Sequence, residues 1–343
     1  MNKSYKRILI FNVNWLGDVI FSTAAIRNMR RNFPDSFIAS VVPSRCYPIL
    51  KDNPNLDEII IFDERDRHKS LIEKIKFIKL LKRKKFDVAY LLHRSMTRAL
   101  ICFLAGIPER VGHISKKRGF LLTKKIKPPD ESKMHRLDYY LDVIEKAGLH
   151  IKDRHSEFFF RDEDSKFAAE FLRKNIAEGN FVAALNAGGN WLPKRWPKEN
   201  WAKLADKLIG ELGVQVVFTG GPLDTQLIKE IESLMKNKPV VACGLFNLKQ
   251  TGALLKNIDV FITADSGPLH IANAVGAKKI ITIFGPTDPL VTAPYPLKNV
   301  ILLQKDVGCK IPCYKVECPD SRCMKAVTPD EVFAQVKLIF GKR

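Results

Sequence analysis

The chain has 343 residues, a formal net charge of +20 and a hydrophobic content of 46%. This length predicts about two domains of ordinary size, and the hydrophobic content excludes a wholly disordered chain. The excess of positive charge favours an anionic partner, which can be nucleic acid, anionic lipid or a phosphorylated glycolipid.

No apolar stretch approaches the ~18 residues that a membrane-spanning helix needs. The apolar run after Arg7 is interrupted at Asn12 and Asn14, which is too early for a secretory signal peptide. The seven cysteines, an odd number, fit a reduced compartment. We therefore expect a cytoplasmic protein.

Strand-like apolar runs alternate with helix-like patterns in the first half of the chain. Strands are predicted at 7–11, 37–42, 58–62 and 86–92, and helices at about 19–31 and 71–84. This alternation is typical of a parallel α/β domain. The stretch from Arg110 to Lys127 contains glycine and many basic residues, and we expect a loop region there that faces an anionic acceptor.

Four candidate residues, Asn14, Trp15, Gly17 and Asp18, stand between the first strand and the first helix. The loop lacks the GxGxxG pattern of dinucleotide-binding proteins. Gly17 permits a tight turn, and Asp18 falls at the helix start, where the helix dipole favours an ionised carboxylate. Such a carboxylate can act as a general base toward a hydroxyl. The structural alternative is an aspartate that only caps the helix.

Two further candidates follow in the first half. Arg94 comes after the strand at 86–92, at a strand end where ligand contacts are expected, and can meet an acidic acceptor. His135 opens an amphipathic helix that ends near Gly148. Each has a structural alternative, namely a surface arginine and a structural histidine.

A second α/β unit begins with a strand at 181–185. The turn after this strand contains five candidates, which are Asn186, Gly188, Gly189, Lys194 and Arg195. Adjacent glycines allow the backbone to approach a phosphate closely, and the two basic residues supply positive charge without a metal.

The stretch 257–290 holds two strands, each followed by a polar turn. The first turn contains Asp265, Ser266, Gly267 and His270, and the second reads Gly-Pro-Thr-Asp at 285–288. Asp265 can accept from sugar hydroxyls, and the helix that follows directs backbone N–H groups at a phosphate. The alternative is that Asp265 and Ser266 only cap the helix. Capping does not account for His270 or the second turn, so we favour a binding site.

These motifs resemble those of the ADP-heptose:lipopolysaccharide heptosyltransferases, glycosyltransferase family 9, and are most similar to its heptosyltransferase II-like members. The stretches that carry the resemblance are WLGDV with STAAIRNMRRNFP after it, Lys-x-Trp-Pro at Lys194, and DSGPLHIANAVG followed by IFGPTDP. Their order and spacing match along nearly the whole chain.

The resemblance implies an α/β fold of the GT-B type, with two Rossmann-like domains facing a cleft. It places an acceptor-binding domain at 1–160, a domain that binds the nucleotide sugar at 161–327 and a C-terminal helix at 328–343. A return of this helix to the first domain is one arrangement that the resemblance allows.

The implied activity is an inverting, metal-independent transfer of heptose from ADP-heptose to a lipopolysaccharide inner-core acceptor of the lipid A–Kdo type. Asp18 is the implied general base and Lys194 the lysine that binds the diphosphate. The implied donor-binding residues are Asn186, Gly188, Gly189, Lys194, Arg195, Asp224, Phe246, Asn247, Leu248, Asp265, Ser266, Gly267 and His270. The implied acceptor-binding residues are Asn14, Trp15, Gly17, Arg94 and His135. No cofactor and no metal are implied, and the protein is expected at the inner face of the inner membrane as a peripheral protein.

This chain departs from the family at two places. The family often has hydroxyl residues where Gly188 and Gly189 stand, so backbone N–H groups would have to replace those side chains. Asp224 stands where the family usually has a glutamate. Phe246 to Leu248 resemble the segment that holds the adenine, with packing of the side chains in the core as the alternative.

Two motifs and the function itself leave alternatives open. The acid triplet Asp162-Glu163-Asp164 matches the DxD pattern of metal-dependent glycosyltransferases by chance, since acids are favoured where a helix starts. A metal site is the less favoured interpretation of four tail cysteines without CxxC pairs, which are Cys309, Cys313, Cys318 and Cys323. The rival functions are transfer from another nucleotide sugar and a non-catalytic basic module that binds anionic lipid or nucleic acid. No motif for reading RNA or DNA supports a nucleic-acid partner.

Overall fold

The computed structural model describes residues 4–115, 118–315 and 317–342. They form two compact units that divide between Phe159 and Phe160. Part of the predicted basic stretch, Lys116 and Lys117, lies outside the described residues. Within the described ranges, no helix is long and apolar enough to cross a membrane.

The first unit is built on a single sheet. Its strands are β1 (Arg7–Phe11), β2 (Phe37–Val42), β3 (Glu58–Ile61), β4 (Val88–Leu91), β5 (Glu109–His113) and β6 (Lys124–Ile126). Its helices are α1 (Leu16–Asn32), α2 (Tyr47–Leu50), α3 (Leu71–Arg83), α4 (Met96–Leu104) and α5 (Arg136–Glu145). The strands pair in parallel in the order β3-β2-β1-β4-β5-β6.

The predicted loop region between Arg110 and Lys127 contains strands β5 and β6, so this part of the sequence analysis is wrong. Strand β6 lies at the edge of the sheet, with Lys124 and Lys125 exposed and Ile126 buried. Lysines on an edge strand discourage pairing with other chains, and they also mask the apolar pattern of so short a strand.

Helix α1 begins earlier than the sequence pattern predicts. It starts at Leu16, so Gly17 and Asp18 lie in its first turn and Trp15 is the N-cap residue. Trp15 has extended backbone angles, and its carbonyl accepts from the backbone N–H of Val19 (2.9 Å). The predicted tight turn at Gly17 is therefore wrong, and so is the alternative that Asp18 is the N-cap.

The second unit repeats the architecture on a second sheet. Its strands are β7 (Val182–Asn186), β8 (Gln215–Thr219), β9 (Val240–Val241), β10 (Val260–Ala264), β11 (Ile280–Ile283) and β12 (Val300–Leu303). Its helices are α6 (Asp162–Asn175), α7 (Lys198–Leu212), α8 (Thr225–Glu232), α9 (Leu248–Asn257), α10 (Gly267–Ala274), α11 (Pro289–Thr292), α12 (Arg322–Lys325) and α13 (Pro329–Phe340). The strands pair in parallel in the order β12-β11-β10-β7-β8-β9.

Helix α6 contains the acid triplet in its first turn. Asp164 accepts a hydrogen bond from the backbone N–H of Arg161 (3.0 Å), and all three acids lie at the helix end that favours negative charge. The triplet thus stabilises the first turn of α6, in line with its interpretation as a chance match to the DxD pattern.

The C-terminal helix α13 packs on α7. Its buried Val332, Phe333 and Val336 join the apolar core on one face of the second sheet. The Lys207 ammonium lies 2.7 Å from the Asp330 carboxylate at the start of the helix. The helix therefore belongs to the second unit rather than to the first, where the sequence allowed it.

The two sheets have equivalent strand orders. In each unit the first strand pairs with the fourth, β1 with β4 and β7 with β10, and the chain runs outward from this pair in both directions. This is the topological switch point of a doubly wound sheet. Ligands of such sheets bind beyond the carboxyl ends of these two strands.

Candidate active site

Asp265 follows β10 and forms the centre of a polar cluster in the second unit. Its side chain is 4% exposed, and its Oδ2 accepts from Lys194 Nζ (2.6 Å) and Thr287 Oγ1 (2.7 Å). His270 Nε2 lies 3.7 Å from the other carboxylate oxygen. Burial by itself would raise the pKa of Asp265, but the contact with His270 and the charge of Lys194 outweigh burial and hold the pKa well below its ordinary value. Asp265 therefore stays ionised at neutral pH.

Lys194 reaches this cluster from the turn after β7. A short 3₁₀ helix, Leu192–Lys194, sets its position, and its ammonium lies 5.4 Å from the centre of the Trp191 ring. The side chain is 23% exposed, so the ammonium spans the buried carboxylate and the surface. An ammonium has three N–H donors, and one of them serves Asp265. The others can serve an anionic ligand.

Gly188, the first glycine of the same turn, lies against Asp224. A Cβ atom on Gly188 would come within 2.3 Å of the Asp224 carboxylate, so the approach requires glycine at this position. Arg195 Nε donates to the carbonyl of Gly189 (2.8 Å) and fixes the conformation of the turn. Asn186 Nδ2 donates to Thr263 Oγ1 (3.3 Å), which joins the ends of β7 and β10.

Helix α10 begins beside Asp265 without a side-chain cap. Its N-cap residue, Ser266, makes no capping hydrogen bond, and its hydroxyl lies 3.1 Å from Thr263 Oγ1. The carboxylate of Asp265 is held by Lys194 and Thr287 instead. The capping alternative for these two residues is therefore wrong. The first turn of α10, which starts at Gly267, presents its backbone N–H groups at the carboxyl edge of the sheet.

The predicted adenine segment, Phe246 to Leu248, makes contacts with α6 and with the start of α9. The Phe246 ring packs edge-on against Phe167 (5.2 Å) and Phe171 (5.0 Å) of α6. Asn247 caps α9 by accepting from the backbone N–H of Gln250 (2.9 Å), and Leu248, the first residue of that helix, is half-buried. The structure thus gives Phe246 and Asn247 structural contacts.

The tail cysteines pass close to the second polar turn. The backbone N–H of Cys313 donates to the carbonyl oxygen of Pro286 (2.7 Å). A Cβ atom built on Gly285 would lie 3.1 Å from Cys323 Sγ. All four are free thiols. Among the described residues, no group of three or more histidine, cysteine or acidic side chains is arranged to hold a metal ion.

Asp18 marks the corresponding edge of the first unit, after β1. It is half-buried, and its Oδ1 accepts a hydrogen bond from the Tyr140 hydroxyl of α5 (2.7 Å). Burial and the negative charge of Asp18 raise the pKa of Tyr140 well above its ordinary value. The tyrosine therefore stays protonated and orients the carboxylate.

The residues just before α1 are held by arginines. Arg98 of α4, which is buried, donates to Asn14 Oδ1 and to the carbonyl of Asn12. Trp15 is 63% exposed, and the Arg45 guanidinium lies 4.8 Å from the centre of its ring. Asn14 is thereby fixed, whereas Trp15 presents its ring at the surface.

Arg94 and His135 both make contacts within the protein that hold their side chains in place. Arg94 forms an ion pair with Glu131, whose second oxygen lies 2.8 Å from Arg136. His135 is the N-cap of α5, where its Nδ1 accepts from the backbone N–H of Leu137 (3.1 Å), and its ring packs on Phe21. His135 thus has the structural role that the sequence analysis gave as its alternative.

Sequence reasoning pointed to the strand end at which His93 stands, but it missed two buried arginines nearby, Arg98 and Arg118. Arg118 donates to the carbonyls of His93 (2.5 Å) and His113 (2.6 Å). Burial first, and then the nearby arginines, lower the pKa of His93 to about 4. A single arginine inside the apolar stretch of α4 was the available signal for Arg98, and the polar turn at 285–288 was the signal for Thr287, while Tyr140 had none.

Comparisons with known proteins identify the family and the fold. Residues 74–323 match the family model described as glycosyltransferase family 9 (heptosyltransferase). The lipooligosaccharide heptosyltransferase 2 of Campylobacter jejuni is 27% identical over 337 residues, which cover 96% of this chain and 97% of that protein.

Two solved structures share the whole fold. The family 9 glycosyl transferase from Veillonella parvula has a TM-score of 0.87 and 27% identity, with 100% of this chain and 99% of that chain covered. ADP-heptose lps heptosyltransferase II of E. coli has a TM-score of 0.80 and 23% identity, with 98% and 99% covered. The predicted GT-B fold class and the predicted family are both confirmed.

Proposed function

The chain belongs to glycosyltransferase family 9, the heptosyltransferases, and we propose that it moves heptose from ADP-heptose to the inner core of lipopolysaccharide. The similarity to a curated heptosyltransferase 2 over nearly the full length of both chains supports this substrate pair. We further propose that the acceptor is of the lipid A–Kdo type and that the protein works at the inner face of the inner membrane.

The observation that carries the proposal is the Lys194–Asp265 pair at the switch point of the second sheet. Lys194 and the first turn of α10 place positive charge and N–H donors at one edge, where the departing diphosphate develops negative charge. The backbone of Gly188 and Gly189 supplies a close approach to the same group. This set of donors would stabilise the leaving group without a metal.

The buried Asp265 has a positioning role in this proposal. A carboxylate that stays ionised and is fixed by Lys194 and Thr287 is a poor proton acceptor, but it can accept hydrogen bonds from sugar hydroxyls. Asp265 would thus orient the heptose rather than take part in proton transfer.

Asp18 is the general base of the proposed reaction. Tyr140 orients its carboxylate, which removes the proton from the acceptor hydroxyl as the oxygen attacks the anomeric carbon. The C–O bond to the diphosphate breaks as the new glycosidic bond forms on the opposite face. A single displacement of this kind inverts the anomeric configuration.

The test is Asp18→Asn, measured for donor binding and for turnover in the presence of EDTA. We expect ADP and ADP-heptose to raise the melting temperature as they do for the wild type, because the donor contacts are untouched. Turnover should fall by about 10²- to 10⁴-fold, the usual contribution of a general base.

Three results would contradict parts of this proposal. Near wild-type turnover of Asp18→Asn eliminates Asp18 as the base. A melting shift that EDTA abolishes eliminates the metal-independent donor site. A rise in melting temperature with UDP-glucose but not with ADP-heptose would mean that the donor is a different nucleotide sugar, with the fold assignment unchanged.

A further inference from the structure

Helix α4 has an outward face that is entirely apolar. Its exposed residues follow the spacing of one helix face, and they are Met96, Leu100, Phe103 and Leu104, with exposed fractions between 38% and 50%. The opposite face is buried on the sheet through Ala99, Ile101 and Cys102. Single exposed apolar residues are common, but a complete apolar stripe on a surface helix is not.

The apolar surface continues onto the neighbouring elements. Helix α3 packs beside α4 on the same face of the sheet, with Phe77 and Leu81 directed inward. Its exposed apolar residues are Leu71, Ile72, Ile75 and Leu80, of which Leu71 is 72% exposed. Phe120, in the short turn Gly119–Leu121 that packs against α4, is equally exposed.

Positive charge borders this surface. The second half of α3 exposes Lys79, Lys82 and Arg83, and the Arg110 guanidinium lies 5.3 Å from the centre of the Phe103 ring. The two helices contain one acidic residue, Glu73, which is paired with Lys76 (2.6 Å). We call the apolar residues of α3, α4 and Phe120, together with Lys79, Lys82 and Arg83, the apolar–basic face.

We propose that the apolar–basic face docks the protein on an anionic phospholipid bilayer. Apolar side chains enter the headgroup boundary, and the cations beside them pair with lipid phosphates, which is the combination that interfacial helices use. The charge of the face selects an anionic bilayer over a second copy of this chain, whose own face carries the same positive charge.

The position of the face fits a lipid-anchored acceptor. In a parallel α/β unit the helices run opposite to the strands, so α3 and α4 begin at the carboxyl edge of the sheet. Met96 stands two residues after Arg94 at that edge, and Asp18 follows β1 at the same edge. This assignment rests on the proposed function in that docking would bring the candidate acceptor edge to the membrane that holds the acceptor.

The experiment is co-sedimentation with vesicles of phosphatidylethanolamine and phosphatidylglycerol, compared with vesicles of phosphatidylcholine alone. We expect binding to the anionic vesicles only, with a loss at high salt. The Phe103→Gln/Leu104→Gln variant should bind about tenfold more weakly because it removes inserted apolar surface. The Lys79→Gln/Lys82→Gln/Arg83→Gln variant should bind about a hundredfold more weakly.

The chain offers matched controls in the second unit. Leu234 and Leu297 are as exposed as Phe103 and Leu104, so Leu234→Gln/Leu297→Gln tests the loss of apolar surface elsewhere. Lys166→Gln/Lys236→Gln/Lys238→Gln removes the same number of exposed charges from other sites. Both controls should bind vesicles like the wild type.

Several outcomes would overturn the assignment. They are absence of vesicle binding, equal losses in the face variants and the controls, and a wild-type dimer in sedimentation velocity that Phe103→Gln/Leu104→Gln converts to a monomer. Turnover of a water-soluble, deacylated acceptor separates this inference from the proposed function, because that reaction needs no bilayer. Face variants that lose vesicle binding but keep this turnover support the inference, whereas a wild type without turnover overturns only the function.

Discussion

The carboxyl edges of the two sheets carry one key carboxylate each, in different surroundings. Asp265 is buried and forms an ion pair with Lys194, whereas Asp18 is half-buried and accepts a hydrogen bond from the neutral Tyr140. The same strand order therefore supports two kinds of carboxylate. The environment of an acid, more than its position in the fold, decides whether it orients a substrate or accepts a proton.

The cations at the two edges differ in the same way. In the second unit Lys194 neutralises Asp265, while in the first unit the buried Arg98 and Arg118 donate to backbone carbonyls. Among the described residues, the side chains of these arginines donate to no carboxylate. Burial and the positive charge of these arginines lower the pKa of His93. In the proposed reaction, the first edge would receive the anionic acceptor and the second the anionic leaving group.

Asp265→Asn and Asp18→Asn test this difference between the two acids. The largest expected effect is on the free energy of unfolding. Asp265→Asn should lower the free energy of unfolding by about 3 kcal/mol, because it leaves the Lys194 charge without its buried partner. Asp18→Asn should stay within about 1 kcal/mol of the wild type, since its amide oxygen still accepts from Tyr140. Urea unfolding at neutral pH measures both, and equal losses would refute the distinction.

The pH dependence of the Asp265 effect has a defined sign. The folded-state pKa of Asp265 is lowered, so its contribution is complete above the unfolded-state value of about 4 and is lost as pH falls through the folded-state value. The stability gap between the wild type and Asp265→Asn should therefore be constant above about pH 5 and narrow in stronger acid.

His93 in the first unit is expected to cause a smaller loss of stability on acidification, and this loss should occur at higher pH than that of Asp265. Its folded-state pKa is about 4, and an unfolded histidine has a value of about 6.5. Between these values the unfolded chain binds more protons, so stability is full above about pH 6.5 and should fall by about 2 kcal/mol on acidification to about pH 4. Unfolding of His93→Gln across this range should show a correspondingly shallower loss. A parallel loss in both proteins would mean that His93 is not the group responsible.

The smallest expected effect is that of Tyr140→Phe on turnover, and the adjacent Tyr139 provides its control. Tyr140→Phe removes the hydrogen bond to Asp18 and should lower turnover by about tenfold, equivalent to about 1.4 kcal/mol, with donor binding unchanged. Tyr139 has a buried hydroxyl with no hydrogen-bond partner among the described residues, so Tyr139→Phe should keep turnover and stability. Steady-state kinetics on both variants decides whether Tyr140 positions the carboxylate. Equal rates for the two variants would show that it does not.

Secondary structure followed from the sequence where the apolar pattern was strong. The runs that became β1, β4, β7 and β10 are mostly apolar and almost entirely buried, as central parallel strands require. The prediction was wrong at β6, where two lysines occupy an edge, and at the start of α1, where Trp15 supplies the extended residue before the helix. In both places the local apolar pattern of the sequence does not match the secondary structure that forms in the folded protein.

The order of strands and turns follows from the sequence, which also places Lys194, Gly188 and Asp265 in turns that a parallel sheet brings to one edge. Which side chains meet at that edge depends on the folded arrangement of the chain. Lys194 and Asp265 are 71 residues apart and Asp18 and Tyr140 are 122 apart, so no local spacing encodes either contact. The same holds for the apolar–basic face, because a helical pattern shows which residues share a face but not whether another element covers them. Apolar periodicity is a local property of the chain, whereas ion pairing and exposure depend on distant segments that meet only after folding.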